Sequence, residues 1–375
     1  MSIFNDLFVL ELANNHWGSL DRGLRIIDDF AKVVHDNEIH AAIKLQFRDV
    51  GSFIHDGHRD RGDSRYIKKV AATELSWEQL GQMVERVREQ KLVTMATPFD
   101  EVSVDKCVEF DVEILKIASS DIRDRILIEK MASTGKPVIA SSGGSNLEDV
   151  DRLVAFFAER NIPFALNHCV SIYPSNDSEL EINQVDFLKS RFPNTVIGFS
   201  SHEMTDWSSS VMIAYAKGAR TFERHIDIEM DGVPVSPYCT VPHQADTWFK
   251  AFKKAKEMCG APGASKRAAP EKEIRYLDEL VRGVYAKRDL PIGHHLTADD
   301  VFLAVPLLHG QISVREFVGG ERLKAPLSKD APVKLREIDA PYANDLALQR
   351  MVESRGIERG APPSHESDRQ RLGAA

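Results

Sequence analysis

The chain has 375 residues, of which 43% are hydrophobic and 28% charged, so it can bury a substantial core and is neither disordered nor a disulfide-stapled mini-protein. The net charge of −9 makes nucleic acid and anionic membranes poor partners, and no apolar run approaches the roughly 20 residues that span a bilayer. The four cysteines are scattered without a CxxC pair, and the first residues carry no basic signal-peptide segment. Together these features favour a reduced, cytoplasmic protein.

A short apolar run, a turn and an amphipathic helical pattern such as 77–89 recur along the first 230 residues. The runs are apolar almost throughout, which is typical of strands covered on both faces. Eight such runs predict a (β/α)8 TIM barrel in one domain of about 250 residues. The predicted strands are 7–13, 41–47, 93–98, 114–119, 137–143, 164–169, 196–201 and 221–227.

A doubly wound sheet is the alternative fold, but no GxGxxG segment follows the first run. Nearly every run ends in a polar group of its own, and in a barrel such groups converge at the C-terminal ends of the strands, where barrel enzymes have their active sites. These groups are Glu11, Lys44 and Gln46, Thr97, Lys116 and Ser119, Ser141, His168, Ser200 and His202, and Glu223 and His225.

The composition changes after the predicted barrel. We assign residues 1–262 to the barrel domain and 263–281, which begin with a small-residue segment, to a linker. Short strand patterns and tight turns predict a small β-rich domain over 282–340, in which 297–300 resembles the start of a helix. The charged tail of 341–375 is expected to be partly disordered.

Two lysines, Lys44 and Lys116, stand inside predicted strands, where burial is unfavourable unless they meet an anion. We favour a cage for a phosphate and a carboxylate, completed by the hydroxyls of Thr97, Ser119, Ser141 and Ser200. Two alternatives stay open. A desolvated lysine could act as a Schiff-base nucleophile, or the lysines could form buried ion pairs with Glu11 or Asp121.

Two histidines, His202 and His225, end the seventh and eighth predicted strands, which adjoin in a barrel. Imidazoles at adjacent strand ends could bind a divalent metal, with Glu11 as a third, oxygen ligand. The pair does not form a sequence-local metal motif such as HExxH. We therefore predict a metal site from the fold rather than from a motif.

Together these segments resemble the sialic acid synthase family, whose members condense phosphoenolpyruvate with an N-acetylated hexosamine to give a nonulosonic acid. Segment 11–18 looks like the family's AEIGxNHxG, and the remainder follow in order along about residues 7–339. They are 44–46 (KxQ), 97–100 (TPFD), 116–119 (KIxS), 141–143 (STG), 168–174 (HCxxxYP), 198–202 (GxSDH), 223–225 (E(K/R)H) and 282–339 (the antifreeze-like, or SAF, domain).

The resemblance implies roles for the matched residues. His202 and His225 would bind Mn²⁺ or Mg²⁺ and would take part in catalysis with Glu11 and Asp121. In the family's reaction the methylene carbon of phosphoenolpyruvate attacks the aldehyde, water adds to the resulting cation, and phosphate leaves with C–O cleavage. The family also implies a domain-swapped homodimer, in which the SAF domain of one subunit caps the partner's barrel. Phosphoenolpyruvate and the aldose would be held by Lys44, Gln46, Thr97, Lys116, Ser119, Ser141, Ser171, Tyr173 and Ser200.

Several positions depart from the family pattern, and they fall among the acceptor residues. Asp121 stands where the family has a longer Glu, and Ser171 where it has Asn. Segment 303–306 replaces a VKRP segment whose arginine meets the acceptor's N-acetyl group, and the aspartate of a GPD segment has no clear counterpart in 233–237. We therefore expect a synthase whose aldose is not the usual N-acetylmannosamine. The alternatives are a Schiff-base aldolase or lyase, and a non-catalytic sugar-binding barrel.

Overall fold

The computed structural model describes residues 2–59, 63–230, 232–261, 263 and 265–357. Contacts between its residues divide the chain into two compact units, Met1–Pro262 and Gly263–Ala375. Each unit buries its own cluster of apolar side chains, which is the defining property of a domain. Within the described ranges, no helix is both long and apolar enough to cross a membrane.

The first unit is a closed barrel of eight parallel strands, in which each strand pairs with the next and the last pairs with the first. The predicted (β/α)8 fold is confirmed. The fourth, fifth, seventh and eighth strands are shorter than predicted, and after the fourth the chain enters a 3-10 turn, Ser119–Asp121. The strands are β1 (Leu7–Ala13), β2 (Ala41–Phe47), β3 (Val93–Pro98), β4 (Ile114–Ile117), β5 (Val138–Ser141), β6 (Phe164–Cys169), β7 (Val196–Ser200) and β8 (Thr221–His225).

Helices connect the strands and pack against their outward-facing side chains. They are α1 (Leu20–Asp36), α2 (Val50–Phe53), α3 (Arg65–Ala72), α4 (Trp77–Glu89), α5 (Glu101–Glu109), α6 (Arg125–Ser133), α7 (Leu147–Glu159), α8 (Asn183–Arg191), α9 (Ser209–Lys217) and α10 (Pro242–Cys259). Helix α4 has its predicted bounds because Ser76 and Gln79 form a capping box, in which each side chain accepts from the other residue's backbone N–H.

Side chains alternate along each strand between the barrel interior and the surrounding helices. The inward positions of the N-terminal half form one buried apolar cluster, which includes Val9, Ala42, Met95, Ile114, Ile139 and Ala165. The inward position two residues further along each of the same strands is polar: Glu11, Lys44, Thr97, Lys116, Ser141 and Asn167. The barrel interior thus has an apolar N-terminal half and, at the C-terminal ends of the strands, a layer of polar side chains.

Gly198 makes room for a hydrogen bond between Asn167 of this layer and Thr221 of β8. A Cβ at this position would lie 1.8 Å from Thr221 Oγ1 and 2.3 Å from Asn167 Oδ1. Those two side chains are hydrogen-bonded to each other at 2.6 Å, with the threonine as donor. The glycine therefore lets β6 and β8 contribute bonded polar side chains to the interior.

A buried ion pair connects the loops that follow the first and the last strand of the barrel. Arg22 in α1 lies 2.7 Å from Asp227 Oδ1, and the two side chains are 2% and 1% exposed. The same guanidinium donates to the carbonyl oxygens of Asn15, Ile228 and Met230 at 2.7, 2.8 and 2.9 Å. It therefore joins the loop after β1 to the loop after β8, where the barrel closes.

The second unit contains two short antiparallel strand pairs around a separate core, so the predicted small β-rich fold is confirmed. The core includes Val284, Leu296, Ile312 and Ile338. The elements of this unit are α11 (Glu271–Glu279), β9 (Gly283–Ala286), β10 (Val301–Ala304), β11 (Arg322–Leu323), β12 (Ile338–Asp339) and α12 (Leu346–Ser354).

The second unit also differs from expectation in places. Segment 263–281, assigned to a linker, contains the helix α11. No helix begins at 297–300, because Asp300 Oδ2 accepts from the backbone N–H and hydroxyl of Thr297 and closes a turn instead. The tail forms α12, and its predicted disorder concerns residues 358–375, which lie outside the described residues.

Replacing Asp227 by alanine would leave Arg22 buried without a charged partner, and breaking such a pair costs about 3–5 kcal/mol. We therefore expect Asp227→Ala to lower the free energy of unfolding by an amount of this order, measured by urea denaturation. Asp29→Ala is the control, because its partner Arg25 is 63% exposed and exposed pairs contribute only about 0–1 kcal/mol. Equal shifts in the two variants would contradict the role assigned to the buried pair.

Candidate active site

One cavity of about 730 Å³ opens at the C-terminal ends of the barrel strands. Every site residue predicted from the sequence lies on its wall, so the structure brings the whole predicted set together, while the role of each residue stays a prediction. The set comprises Glu11, Lys44, Gln46, Thr97, Lys116, Ser119, Asp121, Ser141, Ser171, Tyr173, Ser200, His202 and His225.

Four buried charged side chains form a cluster in this cavity. Lys44 Nζ lies 2.5 Å from Glu11 Oε2 and 2.7 Å from Glu223 Oε1. Lys116 Nζ lies 3.1 Å from both carboxylate oxygens of Glu223. The cluster is formally neutral, and no member is more than 6% exposed. The ion pair of Lys44 with Glu11 that the sequence allowed is present, but Glu223 rather than Asp121 is the second carboxylate.

Glu223 was placed among the polar groups at the strand ends but was assigned no role, although it is the residue that joins the two lysines. The signal for it lies in the strand period: Glu223 and His225 are two residues apart in β8 and therefore face the same side. Because β8 also pairs with β1, Glu11 lies beside His225 in the barrel register. Listing the inward-facing residues of each strand would therefore have identified Glu223 as a site residue.

Burial and neighbouring charges shift the pKa values of this cluster. Burial lowers the pKa of Lys44 to about 7, against an opposing effect of Glu223. Burial alone would raise the pKa of Glu223, but the charges of Lys116 and Lys44 outweigh it and hold that pKa well below its usual value. Glu223 is therefore ionised at neutral pH, while Lys44 can exchange a proton there.

Buried hydroxyl groups beside the cluster lack a protein partner. Among the described residues, Thr97 Oγ1 and Ser141 Oγ are buried and form no hydrogen bond. Ser200 Oγ donates to Glu223 Oε1 at 3.4 Å. Because an unpartnered buried polar atom is unfavourable, these hydroxyls and Lys116 form a wall suited to an anionic ligand.

Gly143, two residues after the end of β5, lets the backbone approach two of the predicted serines. Its N–H donates to Ser119 Oγ at 3.1 Å. A Cβ here would lie 2.1 Å from Ser171 Oγ and 2.8 Å from Ser119 Oγ. The absent side chain therefore allows both hydroxyls to line the cavity.

Two neutral histidines lie together on another part of the wall. The rings of His202 and His225 are 5.5 Å apart, and Tyr173 and Tyr238 pack against His225. His202 Nδ1 lies 2.9 Å from the carbonyl oxygen of Val170, which makes Nδ1 the donor and leaves Nε2 free. Burial lowers the pKa of His202 to about 4 and that of His225 well below its usual value.

Neutral imidazoles are the form that binds divalent metals, so this pair fits a cation whose remaining ligands come from substrate and water. Within the described part of the chain, no group of three or more His, Cys, Asp or Glu could hold a metal ion. Glu11 instead binds Lys44 through Oε2 and accepts from Gln46 Nε2 at 2.9 Å through Oε1. That Glu11 supplies a third, oxygen ligand stays a prediction, and its contacts in this structure are with Lys44 and Gln46.

Asp121 lies at the end of the 3-10 turn that follows β4. Its Oδ2 atom is buried without a hydrogen-bond partner, and burial raises the pKa of its carboxyl group. An unpaired carboxyl group accepts hydrogen bonds from sugar hydroxyls and, once protonated, donates one. This geometry suits the predicted contact with a polar ligand.

The cavity wall also contains cations that the sequence analysis did not assign, Arg48 and Lys69. Arg48 continues the two-residue spacing of Lys44 and Gln46 along β2, which is the signal that could have found it. Lys69 lies in α3, outside the strand pattern, and nothing in its sequence context points to the cavity.

The buried histidines His16 and His168 have structural contacts instead. His168 Nε2 lies 2.8 Å from the carbonyl oxygen of Leu180, and His16 Nδ1 accepts from the backbone N–H of Gly18 at 3.1 Å. Burial lowers the pKa of both rings. Each neutral ring therefore fixes a loop.

Known proteins match both units. The NeuB family model matches residues 37–261, and the SAF domain model matches 281–338. The crystal structure of spore coat polysaccharide biosynthesis protein E from Chromobacterium violaceum is 34% identical, with a TM-score of 0.84 over 89% of this chain and 99% of that chain. N-acetylneuraminate-9-phosphate synthase of Drosophila melanogaster is 28% identical over 87% of this chain and 94% of its own. Pseudaminic acid synthase of Campylobacter jejuni is 25% identical over 78% and 85%, respectively.

Proposed function

This chain belongs to the NeuB family, and we propose that it condenses phosphoenolpyruvate with an aldose other than N-acetylmannosamine. It is an enzyme, a sialic acid synthase-like transferase that uses phosphoenolpyruvate to form a C–C bond. The sequence resemblance that predicted this class is confirmed. The aldose, the metal and the residue roles are the proposed part.

The observation that carries the proposal is that one cavity combines an anion-binding wall with a pair of neutral histidines. Lys116 and the unpartnered hydroxyls of Thr97 and Ser141 offer a cation and hydrogen-bond donors to the phosphate and carboxylate of phosphoenolpyruvate. His202 and His225 lie on the same cavity, where the aldehyde would meet the methylene carbon. Both reactants can therefore be held together, as bond formation requires.

In the proposed reaction, the methylene carbon bonds to the aldehyde carbon, whose oxygen takes up a proton. Water then adds to the cationic carbon and loses a proton. The new hydroxyl group becomes the ketone as the C–O bond to phosphate breaks, and its proton leaves with the phosphate. Lys44 has a pKa of about 7 and lies between Glu11 and Glu223, so we assign the proton transfers to its Nζ atom with Glu11 Oε2. This relay needs no further side chain.

We propose that His202 and His225 hold Mn²⁺ or Mg²⁺, which when bound would polarise the aldehyde oxygen. His202→Ala should lose the bound Mn²⁺ that the unaltered enzyme retains, because a single remaining imidazole is a weak site. Equilibrium dialysis with Mn²⁺ measures this without turnover, and the exposed His40 supplies the control His40→Ala. Undiminished Mn²⁺ binding by His202→Ala, or full phosphate release after exhaustive chelation, would contradict the assignment.

Lys116→Ala should weaken phosphoenolpyruvate binding by roughly 30-fold or more, because removing the charged partner of a buried anion costs about 2–5 kcal/mol. Lys116→Arg should restore little of the lost affinity, since the planar guanidinium group does not match the geometry of an ammonium group. Titration with phosphoenolpyruvate measures the affinity. Lys32→Ala is the control, because that lysine is 74% exposed on α1. An unchanged affinity in Lys116→Ala would remove the lysine from the phosphoenolpyruvate site.

A Schiff-base aldolase is the second candidate function, and the lowered pKa of Lys44 favours it, since an amine must be neutral to attack a carbonyl. Against it, two carboxylates lie within 2.7 Å of Lys44 Nζ and favour the ammonium form. Borohydride treatment with pyruvate, which carries the ketone that a lysine would attack, and a separate assay of phosphate release from phosphoenolpyruvate with the aldose distinguish the two functions. Covalent trapping on Lys44 would support the aldolase, and phosphate release without trapping would support the synthase.

The acceptor differs from N-acetylmannosamine, we infer, because the expected amide contact is missing. Val305 stands in place of the family's arginine and cannot donate a hydrogen bond. The alternative is that Arg315 or Arg322 takes over this contact; Arg315 is paired with Asp278 at 3.2 Å. An amide oxygen that is buried without a donor loses about 1–3 kcal/mol, and the shorter Asp121 adds a second mismatch.

In the homodimer that the resemblance implies, the SAF domain of one subunit would cover the cavity of its partner and bring Val305 to the acceptor. A monomer in light scattering at working concentration would exclude this contact and leave Asp121 as the substitution that favours a different acceptor.

In steady-state assays of phosphate release from phosphoenolpyruvate, N-acetylmannosamine should therefore be a poor acceptor beside mannose, arabinose and other aldoses. Two or three unmet polar contacts would lower its kcat/KM by on the order of a hundredfold relative to the preferred aldose. If N-acetylmannosamine instead gives the highest kcat/KM of the panel, the substituted residues do not alter acceptor choice.

A further inference from the structure

Arg48 is a cation of the cavity wall that the proposed reaction leaves unused. Its Nη2 group donates to Gln46 Oε1 at 2.9 Å, and Nη1 approaches Asn14 Oδ1 at 3.5 Å. The Nε–H group is buried without a hydrogen-bond partner. The guanidinium therefore has hydrogen-bonding capacity left, and its side-chain partners, Gln46, Asn14 and the hydroxyl of Tyr66, are all neutral.

Aromatic rings hold this guanidinium in place. It stacks on Phe99 at 3.7 Å from the ring centroid, and Phe53 and Tyr66 lie 5.8 and 5.9 Å away. All of these side chains line the cavity. Such stacking stabilises an arginine by cation–π attraction and fixes the plane of its fork before a ligand arrives.

Arg48 also lacks a counterion among the described residues. The charges of Asp100 and Asp121 act on it, but neither forms an ion pair with it. Both oxygens of Asp100 accept backbone N–H groups, those of Ser103 at 2.7 Å and Asp49 at 2.8 Å. Arg48 is partly buried, and a cation in such a position with no carboxylate partner among the described residues favours the binding of an anion.

We propose that Arg48 binds an anionic substituent of the acceptor, so that the aldose carries a phosphate or a carboxylate group. This inference rests on the proposed condensation. Arginine presents paired N–H groups that match both groups, and both bind it more strongly than a neutral hydroxyl does. Lys69, on the same wall and without an ion pair among the described residues, adds a second positive charge.

Phosphoenolpyruvate is not the anion assigned to Arg48. Hydrogen bonds and ion pairs run in sequence from Arg48 through Gln46 and Glu11 to Lys44. Arg48 is therefore separated from the lysines and hydroxyls that offer the phosphoenolpyruvate site. A change at Arg48 should alter the KM for the acceptor and leave the KM for phosphoenolpyruvate unchanged.

The test compares matched neutral and anionic aldoses by phosphate release from phosphoenolpyruvate. Three pairs test phosphate: arabinose and arabinose 5-phosphate, mannose and mannose 6-phosphate, and N-acetylmannosamine and its 6-phosphate. Galactose and galacturonate test carboxylate. We expect the anionic member of at least one pair to have a kcat/KM about tenfold to a hundredfold higher, as a charged hydrogen bond provides. The pair that responds identifies the anionic group.

Arg48→Met should abolish this preference through a higher KM for the anionic aldose, because it keeps an apolar stem against Phe99 and removes the charge. Arg48→Lys keeps the positive charge but lacks the paired N–H groups of the guanidinium, so it should retain part of the preference for the anionic aldose. Arg125→Met is the matched control, because Arg125 is exposed on α6 and outside the cavity.

Two failures are distinguishable. Absence of phosphate release with every aldose would overturn the proposed condensation. Turnover in which neutral aldoses equal or exceed their anionic partners would overturn this inference alone. A preference for the anionic aldose that survives in Arg48→Met would assign that preference to another residue and would also overturn it.

Discussion

Glu223 bridges two buried ammonium groups inside the barrel, and the arrangement of the whole site depends on this bridge. Lys44 and Lys116 come from strands that do not adjoin, so their charges can be buried together only if a carboxylate lies between them. With Glu11 the cluster is neutral, and it leaves the hydroxyls of Thr97 and Ser141 free for a ligand. A rigid, charge-balanced cluster of this kind can position reactants precisely enough for catalysis.

The barrel could be predicted because each strand carries its own signal. Runs such as 7–13 and 41–47 are buried on both faces and match β1 and β2 to the residue. Strand ends were harder to predict, because the apolar pattern of 114–119 continues into the turn that holds Asp121. In the second unit, local hydrogen bonds decide: Thr297 resembles a helix cap, but the carboxylate of Asp300 folds back onto it.

The site residues could be predicted where they form ordered segments, and they were missed where they stand alone. Gln46 and Tyr173 belong to such segments. Arg48 follows the end of β2, where only the two-residue spacing points to it, and Lys69 reaches the cavity from α3 through packing that no local pattern shows. A sequence does not reveal which neighbour a carboxylate contacts, and Glu11, which we expect as a metal ligand, lies beside the buried ammonium group of Lys44 in this structure. The domain boundaries and the homodimer stay predictions, since the structure contains a single chain.

The place of β8 in the chain gives Glu223 a part in the order of folding during synthesis. Both lysines emerge from the ribosome long before residue 223, so a partial barrel of the first seven strands would enclose two positive charges with only Glu11 to balance them. Such an intermediate would also present the unpaired edges of β1 and β7. The last strand supplies the missing countercharge and the missing hydrogen bonds at once. Barrel closure and assembly of the reaction centre are therefore one event, and a nascent chain cannot complete either alone.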